Sequence, residues 1–167
     1  VKKSIANNDI FVHPVPPLFD QNSRLLILGT FPSPRSREGK FFYHHPQNRF
    51  WKAMAALTNS SLPETIEQKK TMMLGNGIAV WDVIQSCRVT GASDSSIRDV
   101  VPTDLSQILD HAPIEKIFAN GGTAYNLYMK YSYPEIGRPI IKLPSTSPAN
   151  AAWSLERLID AWSIIHD

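Results

Sequence analysis

The sequence predicts an α/β domain built on a mostly parallel sheet covered by helices on both faces. Two observations carry this expectation. Four short runs, "RLLILG", "IAVWDV", "EKIFA" and "RPIIKL", carry consecutive rather than alternating apolar residues, which is the pattern of strands buried on both faces. Each run is followed by material with helical spacing of apolar residues, and such alternation favours parallel strands joined by crossovers. The chain of 167 residues fits a single domain, 1–167, with residues 1–23 as an irregular lead-in packed on it.

Composition narrows the class. Hydrophobic residues make up 43% and charged residues 19%, which excludes a disordered or low-complexity chain. The run "LLIL" at Leu25–Leu28 is far short of a membrane span, and no export pattern opens the chain. Cys87 is the sole cysteine and cannot form an internal disulfide, so a cytoplasmic protein is expected. A net charge of +2 is too small for coating a polyanion; any nucleic acid must be held by a small, localised face.

Taken in order, Pro14, Pro16 and Pro17 exclude a helix or a central strand from the lead-in, which Phe11, Val12, Leu18 and Phe19 are expected to hold down. After the first strand, the stretch between Gly29 and Asn48 reads as a long loop, and loops of that length in a compact domain are usually functional. A helix is predicted from Asn48 or Arg49, with Phe50, Met54 and Leu57 at helical spacing, and a second over Pro63–Leu74 with Pro63 in its first turn. The second strand leads into "IQSCRVTGASDSSIRD", read as a polar loop, and then a short helix capped by Thr103 or Asp104. The third strand closes on "NGG" and is followed by a helix. The fourth leads through "PSTSPAN" to a last helix carrying Leu155, Leu158, Ile159 and Trp162.

Parallel sheets bind ligands beyond the C-terminal ends of their strands. There the sequence places Gly29–Pro32, Ser86–Arg88, Asn120–Gly122 and Pro144–Asn150, all unusual stretches and all at one sheet edge. Asn48 is read either as a helix N-cap or as an amide that orients a ligand or a water. Phe41, Phe42 and Tyr43 are either core plugs or a stacking platform for a planar ligand. "NGGTA" lacks the spacing and lysine of a P-loop and is read as a phosphate nest or a tight turn. Ser147 before Pro148 has the form of an N-cap with proline at the first helical position, which with Ser145 makes an anion site. Arg35, Arg37 and Lys40 put positive potential beside this edge. No metal-binding spacing is present: His44 and His45 are adjacent and tend to point apart.

The segments "LILGTFPSPRSREGKFFYHHPQNRFW", "GIAVWDVIQSCRVTGASDSSI", "FANGGTA" and "LPSTSPAN" resemble the uracil-DNA glycosylase superfamily, and within it the deoxyinosine (hypoxanthine) DNA glycosylase branch. The resemblance implies a three-layer α/β/α domain with a central four-stranded parallel sheet, and a monofunctional enzyme that flips a deaminated base from DNA and hydrolyses its N-glycosidic bond. It implies no cofactor or metal, and a monomer whose partner is double- or single-stranded DNA. Uracil-specific members carry an aspartate, and mismatch-specific members an asparagine, in the loop where this chain has Thr30-Phe31. Uracil-specific members also carry a histidine after the fourth strand, where this chain has Pro144-Ser145-Thr146-Ser147. The deoxyinosine branch uses instead the asparagine of "NRFW", here Asn48, and a second one matched to Asn120.

On this reading Asn48 and Asn120 are catalytic. The base lies among Thr30, Phe31, Phe41, Phe42, Tyr43 and Asn120. DNA is held by Arg35, Arg37, Lys40, Ser145 and Ser147, with Pro148, Ala149 and Asn150 filling the gap left by the flipped nucleotide. The alternatives are a uracil- or mismatch-directed member of the superfamily, a non-catalytic nucleic-acid-binding module on the same fold, and a small-molecule nucleotide-binding domain.

Overall fold

The computed structural model describes residues 10–167. Its centre is a four-stranded parallel sheet of β2 (Leu25–Gly29), β3 (Ile78–Asp82), β6 (Lys116–Asn120) and β7 (Ile141–Leu143), in the order β3-β2-β6-β7. All four expected strands are present. Leu26, Ile27, Leu28, Val80 and Phe118 are fully buried, as strands packed on both faces require.

The order fixes the layers. From β2 the chain crosses to β3 on one side, and from β6 it crosses to β7 on the other. Right-handed crossovers then place α2 (Phe50–Leu57) and α3 (Ile66–Gly75) on one face and α5 (Gly122–Leu127) on the opposite one. The final helix α7 (Leu155–Trp162) packs against α2, with the Trp162 ring edge-on to Phe50 at 5.9 Å. The direction of winding changes between β2 and β6, and a crevice opens there outside their C-terminal ends.

Several boundaries differ from the expectation. The stretch after β2 is not all loop: Ser33 accepts from the Ser36 N–H and starts α1 (Pro34–Gly39), with Pro34 in its first turn. Pro63 lies ahead of α3 rather than in it, because Thr65 and Gln68 form a capping box that sets the start at Ile66. In α4 (Ser106–Leu109), Asp104 supplies the acceptor for the Ser106 N–H, while Thr103 is buried and donates to the Asp82 carbonyl oxygen. α5 continues through a π-helical turn, Tyr128–Ser132, into α6 (Tyr133–Ile136).

The largest correction concerns the polar stretch after β3. It contains two strands, β4 (Ile84–Arg88) and β5 (Arg98–Pro102), which form a second, antiparallel sheet with β1 (Phe11–Val12) in the order β1-β4-β5. Two register shifts in the β4–β5 ladder space the buried residues as Ile84, Cys87 and Val89, so the alternation that marks a strand is lost. β1 is an edge strand immediately before the prolines, as their missing N–H groups demand. Leu18 and Phe19 pack on the core as expected, but Val12 is exposed, and its anchoring place is taken by Val15.

Gly121 explains the "NGG" turn. Its φ of 97° and ψ of 165° belong to glycine alone, and an added Cβ would stand 3.1 Å from the Ser145 Cβ. The G121A variant is therefore expected to lose about 1–3 kcal/mol of unfolding free energy, read from urea denaturation.

Candidate active site

The crevice at the β2/β6 switch point is a cavity of about 490 Å³. Its floor comes from strand ends: Gly29 of β2, Asp82 of β3 and Asn120 of β6. Its walls are Thr30, Phe31 and Tyr43 on one side and Ser145–Ala149 on another, with Gly91–Ser95 of the β4–β5 loop at the rim. Three of the four stretches expected at this edge contribute. Ser86–Arg88 does not, because it is part of β4.

Asn48 and Asn120 come together through a residue that sequence reasoning passed over. Thr146 is fully buried between them. Its N–H donates to Asn120 Oδ1 at 3.0 Å, and Asn120 Nδ2 donates back to Thr146 Oγ1 at 3.0 Å. The hydroxyl proton then goes to Asn48 Oδ1, 2.8 Å away. Asn48 Oδ1 also accepts from the Phe50 N–H at 2.9 Å, so the side chain satisfies the first N–H of α2, one residue ahead of the N-cap Arg49, while lining the crevice. A backbone N–H can only donate, which identifies the oxygen end of the amide. With two donors on that oxygen, the group left for a ligand is the NH2. The carbonyl end of the amide faces the protein.

Asp82 was also missed, and its partner lies 69 residues away in the lead-in: His13 Nε2 is 2.7 Å from Asp82 Oδ2, with both side chains buried. The Val15 N–H donates to His13 Nδ1 at 3.1 Å, so the ring proton sits on Nε2 and is donated to the carboxylate. Among the described residues no hydrogen bond reaches Asp82 Oδ1. Gly29 makes this floor possible: a Cβ there would stand 2.4 Å from Asp82 Oδ1 and 2.7 Å from the Tyr43 hydroxyl.

The rings separate by role. Phe41 is a core residue, stacked on Trp51 at 5.9 Å, and is absent from the crevice wall, contrary to its expected place against the base. Phe42 is almost wholly buried and shows only part of itself to the crevice. Phe31 and Tyr43 are half-buried and line it. One face of Tyr43 is already covered by Phe50, with ring centroids 4.0 Å apart. Among the described residues no group makes a well-aligned hydrogen bond to the buried Tyr43 hydroxyl. Its own burial, reinforced by the nearby Asp82 carboxylate and only partly offset by Asn120, raises its pKa far above the ordinary phenol value.

The polar and basic candidates also divide. Arg35 and Lys40 are exposed. Arg37 is not a free cation: it lies over the Phe11 ring at 4.4 Å and donates to the Pro32 carbonyl oxygen, and burial lowers its pKa. Ser147 does not start a helix. Residues 147–150 form a turn, and α7 starts at Leu155 with Ser154 accepting from the Arg157 N–H. The expected helix-start anion site at Ser147 is therefore absent. Asn150 turns inward, its Nδ2 donating to the Ser145 carbonyl oxygen at 2.9 Å, while Ala149 is exposed.

A parallel sheet flanked by helices, with a crevice at its switch point floored by amides and a carboxylate, defines an α/β domain with a candidate site at its strand ends. A profile of the Uracil DNA glycosylase superfamily matches residues 16–166, and the chain belongs to that superfamily, whose members are hydrolases of N-glycosidic bonds in DNA. It is 30% identical over 143 residues to a hypoxanthine DNA glycosylase of Methanosarcina acetivorans, covering 85% of this chain and 90% of the relative. It is 32% identical over 108 residues to a hypoxanthine DNA glycosylase of Methanosarcina barkeri, covering 64% and 68%. The solution NMR structure of a candidate uracil DNA glycosylase from Methanosarcina acetivorans superposes with a TM-score of 0.77 at 27% identity, covering 95% of this chain and 100% of that one. Among the described residues no helix is long and apolar enough to cross a membrane.

The unpartnered Tyr43 hydroxyl leads to a stability prediction. Removing it in Y43F is expected to raise stability by about 1 kcal/mol, seen as a higher melting temperature. The folded protein keeps this phenol neutral, whereas the unfolded chain ionises it near pH 10. Wild-type stability therefore falls as pH rises through that value and beyond, and Y43F should fall less steeply, as denaturation at pH 8 and pH 11 would show.

Proposed function

We propose that the protein is a monofunctional DNA glycosylase that removes deaminated bases, with hypoxanthine as its preferred substrate, acting as a monomer on double- or single-stranded DNA. The observation that carries the reading is the free acceptor on the crevice floor, Asp82 Oδ1, in the same cavity as the Asn48 amide. Hypoxanthine carries a proton on ring nitrogen N1 where adenine has a lone pair. A buried acceptor therefore favours the deaminated base and leaves adenine facing a carboxylate with two lone pairs opposed.

The proposed path begins with phosphates meeting Arg35 and Lys40 and the backbone around Ser145 and Ser147. The turn at Ser147–Asn150 fills the space vacated by the flipped nucleotide, at an extrusion cost of a few kcal/mol that is lowest for weakly paired bases. The base enters between Phe31 and the open face of Tyr43 and meets Asp82 with its N1–H. Asn48 Nδ2 donates to a water beneath C1′. As the C1′–N9 bond breaks, its electron pair leaves with the base, and a lone pair of that water forms the new C1′–O bond. The water's proton passes to the departing base or to solvent. An amide cannot take that proton, so its contribution is placement. Among the described residues no lysine lines the crevice, which supports simple hydrolysis over Schiff-base chemistry.

Uracil is the second reading, because its N3–H offers the same donor to Asp82. Against it stand Thr30-Phe31 and Pro144–Ser147 in place of the acidic and histidine groups of uracil specialists. Excision from hypoxanthine, xanthine and uracil duplexes under single-turnover conditions separates the two; faster release of uracil than of hypoxanthine would reverse the order.

Two variants test the residues. N48A is expected to lose about 100-fold or more in excision rate while its affinity for inosine-containing DNA, read by fluorescence anisotropy, changes little. Wild-type excision by N48A would remove Asn48 from the chemistry. In D82N the amide oxygen is claimed by the His13 N–H, which turns the NH2 toward the base. Excision of hypoxanthine should then fall about 10–100-fold with the fold intact by circular dichroism.

A further inference from the structure

We propose that Arg49 is a positioning residue: its guanidinium is the template on which the 147–153 loop folds, and it fastens that loop to the first turn of α2. This rests on the glycosylase reading above.

The loop consists of two successive turns. The Asn150 N–H donates to the Ser147 carbonyl oxygen at 3.0 Å, and the Trp153 N–H donates to the Asn150 carbonyl oxygen at 3.1 Å. The repeat of three residues brings the carbonyls of 147, 150 and 153 toward one point, and Arg49 occupies that point. Its Nη2 donates to Ser147 O at 2.9 Å and to Asn150 O at 3.1 Å, and its Nη1 donates to Trp153 O. Converging carbonyl dipoles repel one another unless a cation lies among them, and a planar guanidinium with five fixed donors fits such a cradle. Among the described residues Arg49 pairs with no carboxylate, so these dipoles are what balance its charge.

The same residue grips the amide network. The Arg49 N–H donates to the Thr146 carbonyl oxygen at 3.1 Å, one residue after Asn48 accepts the Thr146 hydroxyl. The first turn of α2 and the loop therefore form one body. The outer residues of the loop explain the need for such a clamp. Ala149, Ala151 and Ala152 are its exposed side chains, and methyl groups cannot hold base pairs apart by bulk. The wedge must be stiff backbone, and the stiffness comes from Arg49.

The test compares wild type, R49K and R49A on hypoxanthine in a duplex and in a single strand, each in single turnover with melting curves alongside. A single strand has no gap to fill, so its excision does not draw on the wedge. R49A should lose about 30-fold or more on the duplex, in line with a flipping cost of a few kcal/mol, and stay within about threefold of wild type on the single strand. R49K, which keeps the charge but not the fork, should fall between. A 2-aminopurine beside the lesion should report weaker flipping in the same order. Wild-type duplex excision by R49A overturns the proposal. So does an equal loss on both substrates by folded R49K, which would make Arg49 a general stabiliser. Wild-type protein that releases hypoxanthine from neither DNA removes the glycosylase reading itself, and this inference with it.

Discussion

The Thr146 hydroxyl has one proton to give, and where that proton goes sets the polarity of the whole crevice. Because Thr146 Oγ1 accepts from Asn120, its proton must serve Asn48, and the Asn48 carbonyl is then saturated by it and by the Phe50 N–H. The chain runs from the end of β6, through the loop after β7, to the start of α2. Three elements far apart in sequence are thus held by one chain of hydrogen bonds centred on the buried Thr146. Buried networks of this kind polarise in one direction and tolerate little substitution. Serine in place of Thr146 would preserve the bonds but leave space for a methyl group, and valine would break both side-chain bonds at once.

The floor shows a different economy. Gly29 lets Asp82 and Tyr43 approach over a strand end where any side chain would collide, and the Tyr43 hydroxyl is left without a well-aligned partner among the described residues. Natural proteins keep such unsatisfied groups mainly where function uses the site. In the mechanism proposed above, this crevice discriminates by hydrogen-bond direction and places the water with an amide rather than a base. Selectivity rather than speed is what this arrangement favours.

The central sheet was legible because strands buried on both faces leave an unmistakable run of aliphatic residues, and parallel connections then fix where a crevice must open. Asn48 and Asn120 were legible through motif resemblance and proved to share one network. Thr146 was not, because nothing in "PSTSP" distinguishes the buried hydroxyl from its half-exposed neighbours. The start of α7 was misplaced because Ser147-Pro148 and Ser154 both carry N-cap chemistry, and only the two intervening turns decide between them. β4 and β5 were hidden by irregular pairing, and Arg37 looked like a free cation until its aromatic neighbours were known. The His13–Asp82 pair had no local signal at all, since it joins a proline-rich entry segment to the end of a strand.

That pair has a practical consequence. His13 enters from the edge strand β1 and supplies the donor to Asp82 Oδ2, so the entry segment is a structural half of the pocket floor rather than a dispensable leader. A recombinant version trimmed to begin after the prolines would keep every strand of the central sheet. It would nevertheless leave an acidic group stranded at the bottom of the crevice without its donor. The boundary chosen for expression therefore belongs among the determinants of what the pocket recognises.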